Sequence, residues 1–443
     1  MEGGANTTMS LAEALAFAVE RHRQGRFEEA AHVYRQILAV VPDHADALHF
    51  LGVAEHQGGD RTRALELLNR ALALEPDHAD ALSNRGNVYR SLQRLDEAEA
   101  DYRRALALRP DDATTLSNLG TVLRARGDWE GAVAIFREVI ARKPEHATAW
   151  QNLASVLEGM DRAAEAVEAY REAARLSPES AAMCRNLGIA LYMAGRIEEA
   201  AEMYRRCLAL APDDARARHL LAACTGKDTP PRASDEYVRT EFDHLAADFD
   251  AKLASLEYRG PALVAEAVDE IAATLPPRLA VLDAGCGTGL CAPLLRPRAT
   301  RLVGVDLSPA MVALARERGG YDELVVAELT AFLRQHERSY DLVVSADTLV
   351  YFGDLAEFAA ASAGALRPGG ALIFTLERAE PGEAEAGYRL NPHGRYSHTR
   401  DYVARVLAGA GFVDTAIREI SSRKEVEKWV PGHLVRARLG RGC

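Results

Sequence analysis

Small, bulky and helix-breaking residues recur at one fixed interval through the first half of the chain. Prolines stand at Pro42, Pro76, Pro110, Pro144, Pro178 and Pro212, each 34 residues from the next. Gly52, Gly86, Gly120, Ala154 and Gly188 follow the first five prolines, ten residues after each. Ala30, Ala64, Ala98, Ala132, Ala166 and Ala200 keep the same interval. Four residues after each comes a large side chain: Tyr34, Leu68, Tyr102, Phe136, Tyr170 and Tyr204. Three position classes in one phase predict stacked helix pairs, with small residues where two helices approach and large ones filling the space beside them. Proline follows the second helix of each pair, and an acid (Asp43, Asp77, Asp111, Glu145, Glu179 or Asp213) marks the next start. The pattern predicts six repeats, and with a solvating cap helix over 215–224 the array spans residues 11–224.

Residues 225–235, rich in proline and polar side chains, read as a linker. From 236 onwards the interval is lost. Short β-branched runs at 279–283, 301–306, 324–326, 340–345 and 371–376 alternate with helical stretches at 309–316, 329–335 and 355–366. That alternation predicts an α/β domain over residues 236–443 with a parallel sheet wrapped by helices. Two last runs, 413–420 and 433–438, predict an antiparallel hairpin at the sheet edge. Residues 237–258 form one amphipathic helical stretch, with Phe242 and Phe249 seven apart.

At 443 residues the chain exceeds the ~150 expected of one domain, in keeping with this division. The net charge of -12 argues against nucleic acid or an anionic membrane surface as a partner. No run approaches the ~18 apolar residues of a membrane helix, and residues 1–4 lack the pattern of an export signal. Cys184, Cys207, Cys224, Cys286, Cys291 and Cys443 form neither a CxxC pair nor a metal-ligand spacing, so no metal is expected and a reducing cytoplasm is.

The chemistry-bearing segment is Val-Leu-Asp283-Ala284-Gly285-Cys286-Gly287-Thr-Gly289-Leu, a strand that turns through alternating glycines towards a helix. A dinucleotide fingerprint wants G-x-G-x-x-G and a pyrophosphate on the helix N-terminus, and an acid at Asp283 would repel that pyrophosphate. The segment suits a ligand with a cationic amino-acid end instead. Asp306 closes the next strand, where a carboxylate accepts from both hydroxyls of a ribose. Glu328 follows the third, placed to accept from an exocyclic adenine amine. With Leu366-Arg-Pro-Gly-Gly370 before the fifth strand, these features resemble the class I S-adenosylmethionine-dependent methyltransferases over residues 240–443. The resemblance implies a Rossmann-like fold, S-adenosylmethionine as cofactor and S-adenosylhomocysteine as product. It puts Asp283, Ala284, Gly285, Cys286 and Gly287 around the methionine end, Asp306 and Leu307 at the ribose, and Glu328 and Leu329 at the adenine. It also implies a cover over the cofactor from the helix at 237–258. Asp347 and Tyr351 follow the fourth strand at its ligand-binding end, and His393 or His398 in a polar insert is placed to take a proton. The acceptor atom stays open among oxygen, nitrogen, sulfur and carbon.

The first half resembles the tetratricopeptide repeat family, whose first helices line a concave face. Two residues before the small marker come Asn84, Asn118, Asn152 and Asn186. An amide donates and accepts together, so a ladder of four suits the backbone of an extended peptide. The ladder resembles that of the O-linked N-acetylglucosamine transferases; the competing reading is a consensus residue making local polar contacts. Together the halves predict a methyltransferase whose repeats recruit a protein or peptide. A small-molecule enzyme using its repeats for assembly predicts an enclosed pocket and full activity from 236–443, and a non-catalytic repeat scaffold is the third reading.

Overall fold

A computed structural model describes residues 9–425 and 428–441; residues 1–4 and Cys443, singled out above, lie outside them. Contacts divide the chain into two units, Met1–Ala194 and Gly195–Cys443.

The first unit is a helical repeat array. Its helices are α1 (Leu11–Arg23), α2 (Phe27–Val40), α3 (Ala45–Gln57), α4 (Arg61–Leu74), α5 (Ala79–Ser91), α6 (Leu95–Leu108), α7 (Ala113–Ala125), α8 (Trp129–Arg142), α9 (Ala147–Gly159), α10 (Ala163–Leu176) and α11 (Ala181–Met193). The small residues explain the pairing: Ala30, Ala64, Ala98, Ala132 and Ala166 are fully buried, and a Cβ on Gly120 would stand 2.7 Å from the Phe136 ring. Caps differ from expectation by one residue. His44, His78, Asp112, His146 and Ser180, each one position after the acid, accept from backbone N–H groups of the first turn. The acids sit just outside, where a negative charge still favours the positive helix end.

The second unit opens with α12 (Ile197–Leu210) and α13 (Ala215–Thr225), then α14 (Asp235–Leu245), α15 (Phe249–Ser255) and α16 (Gly260–Ile271). It continues with β1 (Leu279–Ala284), α17 (Ala292–Leu295), β2 (Ala299–Asp306), α18 (Pro309–Arg318), β3 (Glu323–Val326), α19 (Leu329–Arg334), β4 (Tyr340–Ser345), α20 (Ala356–Ala365) and β5 (Leu366–Arg378). Last come β6 (Tyr388–Leu390), β7 (Tyr396–His398), α21 (Arg400–Gly409), β8 (Phe412–Glu425) and β9 (Lys428–Leu439). Strands run β3-β2-β1-β4-β5, all parallel, and β9 pairs antiparallel with β5 and with β8. The edge hairpin of the sequence reading is therefore present. Successive strand residues face opposite layers: Leu282, Val303 and Val343 pack on one side, Val281, Leu302 and Leu342 on the other. Burial on both faces is why these strands are continuous apolar runs.

Three segments differ from the sequence reading. Residues 237–258 are not one helix: α14 gives way to a 3-10 turn at Ala246–Asp248 and then to α15. Residues 225–235 are not a free connector. Ala233 donates to the Tyr351 carbonyl, the Pro231 carbonyl accepts from Gly353 and Asp354, and the Pro230 carbonyl accepts from the Tyr396 hydroxyl. Nor is α13 a solvating cap. His219 donates through Nε2 to the Gly394 carbonyl (2.8 Å) and stacks on Tyr237, while Ala222 and Ala223 pack with Leu390 and Tyr396. Period and composition report how a segment is built, not what covers it. Among the described residues no helix is long and apolar enough to cross a membrane.

Candidate active site

The carboxyl ends of β1, β2 and β4 open onto one cavity, at the end where open α/β sheets receive ligands. After β1 the chain passes through Gly285 and Gly287 at φ +82° and +52°, which a side chain would strain. The Gly285 and Cys286 amides donate to the Val305 carbonyl, so the loop is fastened to β2. Above Gly287 the space is open: an added Cβ would find only the Phe249 ring, at 4.0 Å. Asp306, ending β2, accepts from the Gly287 amide and the Ser308 amide, both at 2.9 Å. Burial raises its carboxyl, against the pull of those donors. No arginine or lysine pairs with Asp306 or Asp283 among the described residues. The donor set thus fits a cationic nucleoside: one cavity-lining carboxylate, Asp306, beside a glycine cradle, with Asp283 buried beneath it and neither paired with a basic residue among the described residues.

Seven of the nine predicted cofactor residues line the cavity: Gly285, Cys286, Gly287, Asp306, Leu307, Glu328 and Leu329. Asp283 and Ala284 do not; they are buried in the sheet beneath the loop. The Tyr321 hydroxyl donates to Asp283 Oδ2 at 2.6 Å, and Oδ1 has no partner among the described residues. Burial pushes this carboxyl up to about 7. Glu328 reaches the cavity but also caps α19, its two oxygens accepting from the Thr330 and Ala331 amides at 3.0 and 2.7 Å. The strand-end position of an acid was readable; whether its side chain turns outward depends on its neighbours.

The four proton-handling candidates divide as well. Asp347 and Tyr351 line the cavity, whereas His393 and His398 stand outside its lining. Asp347 has a left-handed backbone (φ +55°) and accepts from the Thr375 hydroxyl at 2.8 Å and from Arg423 at 2.5 Å. His393 accepts at Nδ1 from the Arg395 amide, and its Nε2 faces Glu377 at 3.4 Å. Burial, and then Arg395, lowers it to about 4. His398 is fully buried, donates to the Gly353 carbonyl and is lowered by burial to about 4. Neither histidine is placed as a base.

Sequence reasoning missed the arginines. Arg423 binds Asp347, Glu377 and Glu425, and Arg395 binds Glu377 at 2.6 Å and Glu425 at 2.7 Å. Both line the cavity. The available signal was weak: Glu377 and Arg423 stand just past the strand-like runs 371–376 and 413–420, in strands that the structure extends to Arg378 and Glu425. The register of β8 shifts between Ser421 and Lys424, and Arg423 sits in that irregularity.

Helices α14 and α15 cover the cavity with Val238, Phe242, Phe249 and Leu253. Phe242 meets Phe249 and Tyr351 edge-on at 5.9 and 5.4 Å. Asp243 accepts from Ser308, the cap of α18, at 2.5 Å; Asp250 accepts from the Thr288 hydroxyl at 2.5 Å and pairs with Arg318. Water exclusion by such a cover strengthens every polar contact inside.

On the repeat unit, Asn84, Asn118, Asn152 and Asn186 occupy equivalent places on α5, α7, α9 and α11, all half-buried. Asn84 bonds His49 at 2.8 Å, and Asn118 donates at 3.1 Å to Asn87, which also accepts from Tyr102. Asn152 and Asn186 make no side-chain hydrogen bond among the described residues. The ladder is thus half engaged internally, Asn84 through His49 and Asn118 through Asn87, neither partner being legible in the repeat pattern.

Comparison with known proteins finds both kinds of fold in the chain, the repeats reaching past the contact boundary at Ala194. A methyltransferase-domain model matches residues 282–374, and tetratricopeptide-repeat models match 15–70, 52–89, 77–145, 111–179 and 157–224. Methyltransferase-like protein 27 of Homo sapiens is 38% identical over 89 residues, 20% of this chain and 36% of that protein. A probable S-adenosylmethionine-dependent methyltransferase of Mycobacterium tuberculosis is 31% identical over 137 residues, 31% of this chain and 50% of that protein. The chain thus spans a third to a half of the length of these curated relatives. The solved pilF of Pseudomonas aeruginosa is 20% identical, with a TM-score of 0.43, over 48% of this chain and 96% of its own. The chain carries a tetratricopeptide-repeat array followed by a Rossmann-like methyltransferase domain.

Proposed function

We propose that this chain transfers a methyl group from S-adenosylmethionine to an acceptor brought by its repeats. The observation that carries the reading is Asp306, a cavity-lining carboxylate oriented by two backbone amides and left without a basic partner. S-adenosylmethionine, when bound, supplies an electrophilic methyl on a cationic sulfur. Gly285, Cys286 and Gly287 receive its amino-acid end, Asp306 and Leu307 its ribose, and Glu328 and Leu329 its adenine. Asp283 acts from beneath, setting the charge under the loop. The cover formed by α14 and α15 keeps water from the reacting atoms, and the chain's main contribution is to hold acceptor and methyl in line.

Residues 11–224 form the recruiting array and 236–443 the catalytic domain, with 225–235 joining them. Asn152 and Asn186, whose amides are unengaged, support a groove for an extended peptide. A small-molecule acceptor is the second reading. It is favoured by a cavity walled with Phe242, Phe249, Tyr258, Tyr351 and Phe352, which leaves little room for a folded surface. Calorimetric titration with S-adenosylmethionine tests the cofactor reading. The parent binds, and Asp306→Ala weakens binding at least tenfold, the loss of about 1.4 kcal/mol or more expected for a charged hydrogen-bonding group. Unchanged affinity in Asp306→Ala refutes the assignment. Replacing Asn84, Asn118, Asn152 and Asn186 by Ala leaves cofactor affinity intact and lowers turnover of a peptide acceptor, but not of a small one.

A further inference from the structure

Past the cofactor-facing residues, the cavity wall offers donors and few free acceptors. Each carboxylate lining it, Asp306, Glu328 and Asp347, already accepts at both oxygens from groups of the chain. Arg395 Nη1 and the Tyr351 hydroxyl, by contrast, make no hydrogen bond among the described residues, though both side chains line the cavity. Glu377 and Glu425 lie outside the lining and hold Arg395 through Nε and Nη2, which leaves Nη1 unengaged. The Tyr258 hydroxyl and Arg232 Nε and Nη2 are likewise unengaged among the described residues, but Arg232 already pairs with Asp235 through Nη1. A charged Arg395 donor with a neutral hydroxyl donor suits the two oxygens of one carboxylate. The charges narrow the choice. Arg395 and Arg423 are set against Asp347, Glu377 and Glu425, one negative charge in excess, so a dianion such as a phosphate monoester is repelled more than a singly charged acid.

A second observation points the same way: among the described residues no unengaged base lines the cavity, its carboxylates Asp306, Glu328 and Asp347 being held by the donors just named. His393 has its lone pair taken by the Arg395 amide, and His398 is buried elsewhere. Burial holds the Tyr351 hydroxyl protonated, up to about 12, and raises the Tyr258 hydroxyl and the Cys286 and Cys291 thiols. An amine, phenol or alcohol arrives at neutral pH with a proton that must be removed during attack. A carboxylate arrives without one.

We infer that the methyl acceptor is a carboxylate, received by Arg395 and Tyr351 and converted to its methyl ester. The inference rests on the S-adenosylmethionine reading above. The acceptor's carboxylate oxygen forms the new bond to the methyl carbon. The methyl–sulfur bond breaks with its electron pair staying on sulfur. An anion and a sulfonium cation become a neutral ester and a neutral thioether, and no proton is transferred. The carboxylate belongs either to a free monocarboxylic acid or to a peptide, at a side chain or its C-terminus.

The test uses the full chain with methyl-labelled S-adenosylmethionine and a panel of aliphatic and aryl monocarboxylic acids, their amides, the matching amines, and peptides with free or amidated C-termini. Label is expected on acids and not on amides, and alkali releases it as methanol, as it does from an ester. Free acids against peptides decides the source. Arg395→Gln raises KM for the acid tenfold or more, and Tyr351→Phe raises it severalfold, with cofactor affinity within twofold of the parent in both. A cofactor-free titration with the best acid gives binding heat in the parent and none in Arg395→Gln. Base-stable label, equal use of acid and amide, or no acid methylated by a protein that binds the cofactor overturns the inference. A parent that binds no S-adenosylmethionine refutes the underlying reading instead. The cofactor-free titration then still decides whether Arg395 receives a carboxylate.

Discussion

Asp283 shows what one buried side chain does to the chemistry around it. Its carboxyl is raised to about 7 by burial, from 3.8 when exposed, with only the Tyr321 hydroxyl among the described residues to favour the charged form. Between those values the unfolded chain gives up this proton while the folded chain keeps it. Folding therefore loses stability as pH rises from about 4 to about 7, and the loss is complete above that. Asp283→Asn keeps an acceptor for Tyr321 and removes the ionisation. Its melting temperature is expected to rise relative to the parent between pH 5 and pH 8, by the equivalent of about 1–3 kcal/mol at the upper end. A pH-independent difference in thermal denaturation contradicts the assignment. The same residue marks a limit of sequence reading. That an acid ends this strand is visible in the order of residues; that Tyr321, 38 residues later, lies against it is not.

At the scale of the element, the cover is held by side chains more than by its own helicity. Helix α15 has seven residues, too few to persist alone, and it contributes no fully buried side chain. Asp250 joins it to the glycine loop through Thr288 and to α18 through Arg318. Behind it, the Leu256 carbonyl accepts from Lys424 and the Arg259 amide donates to Ser422, both on β8. The strand that carries Arg423 into the cavity therefore also fixes the end of the cover. Asp250→Ala is expected to release α15, speeding S-adenosylmethionine dissociation about tenfold in stopped-flow and raising amide exchange over residues 249–255. The rest of the sheet keeps its protection. Unaltered exchange in α15 shows that packing of Phe242 and Phe249 alone holds the cover. The amphipathic pattern at 237–258 announced a covering segment. It did not announce the break at Ala246–Asp248, which lets Phe249 face the space over Gly287.

Across the whole molecule, the two contact units part within the last repeat, at Ala194 and Gly195, rather than at the linker-like composition of 225–235. Helix α13 supports the polar insert at 391–398 through His219 and Gly394, and Tyr396 reaches back to Pro230. A fragment cut at 236 exposes Leu390, Tyr396 and Tyr237, buried against these neighbours. It is expected to melt at least 5 °C below a fragment beginning at 195, since removing buried apolar and stacking contacts of this extent costs about 2 kcal/mol or more. Equal melting temperatures show the insert stands alone. The order of residues alone determined the 34-residue array, the alternating strands and helices, and the glycine loop with an acid at the end of each flanking strand. Those features are written in periodicities and turn residues that act over a few neighbours. Only the folded chain decided that Asp283 lies beneath the loop, that Arg423 grips Asp347 from 76 residues away, and that His219 meets Gly394 across 175. Such pairings are chosen by which surfaces pack together. Neither member needs a local pattern to announce its partner, so a cavity wall is legible only once the chain has closed around it.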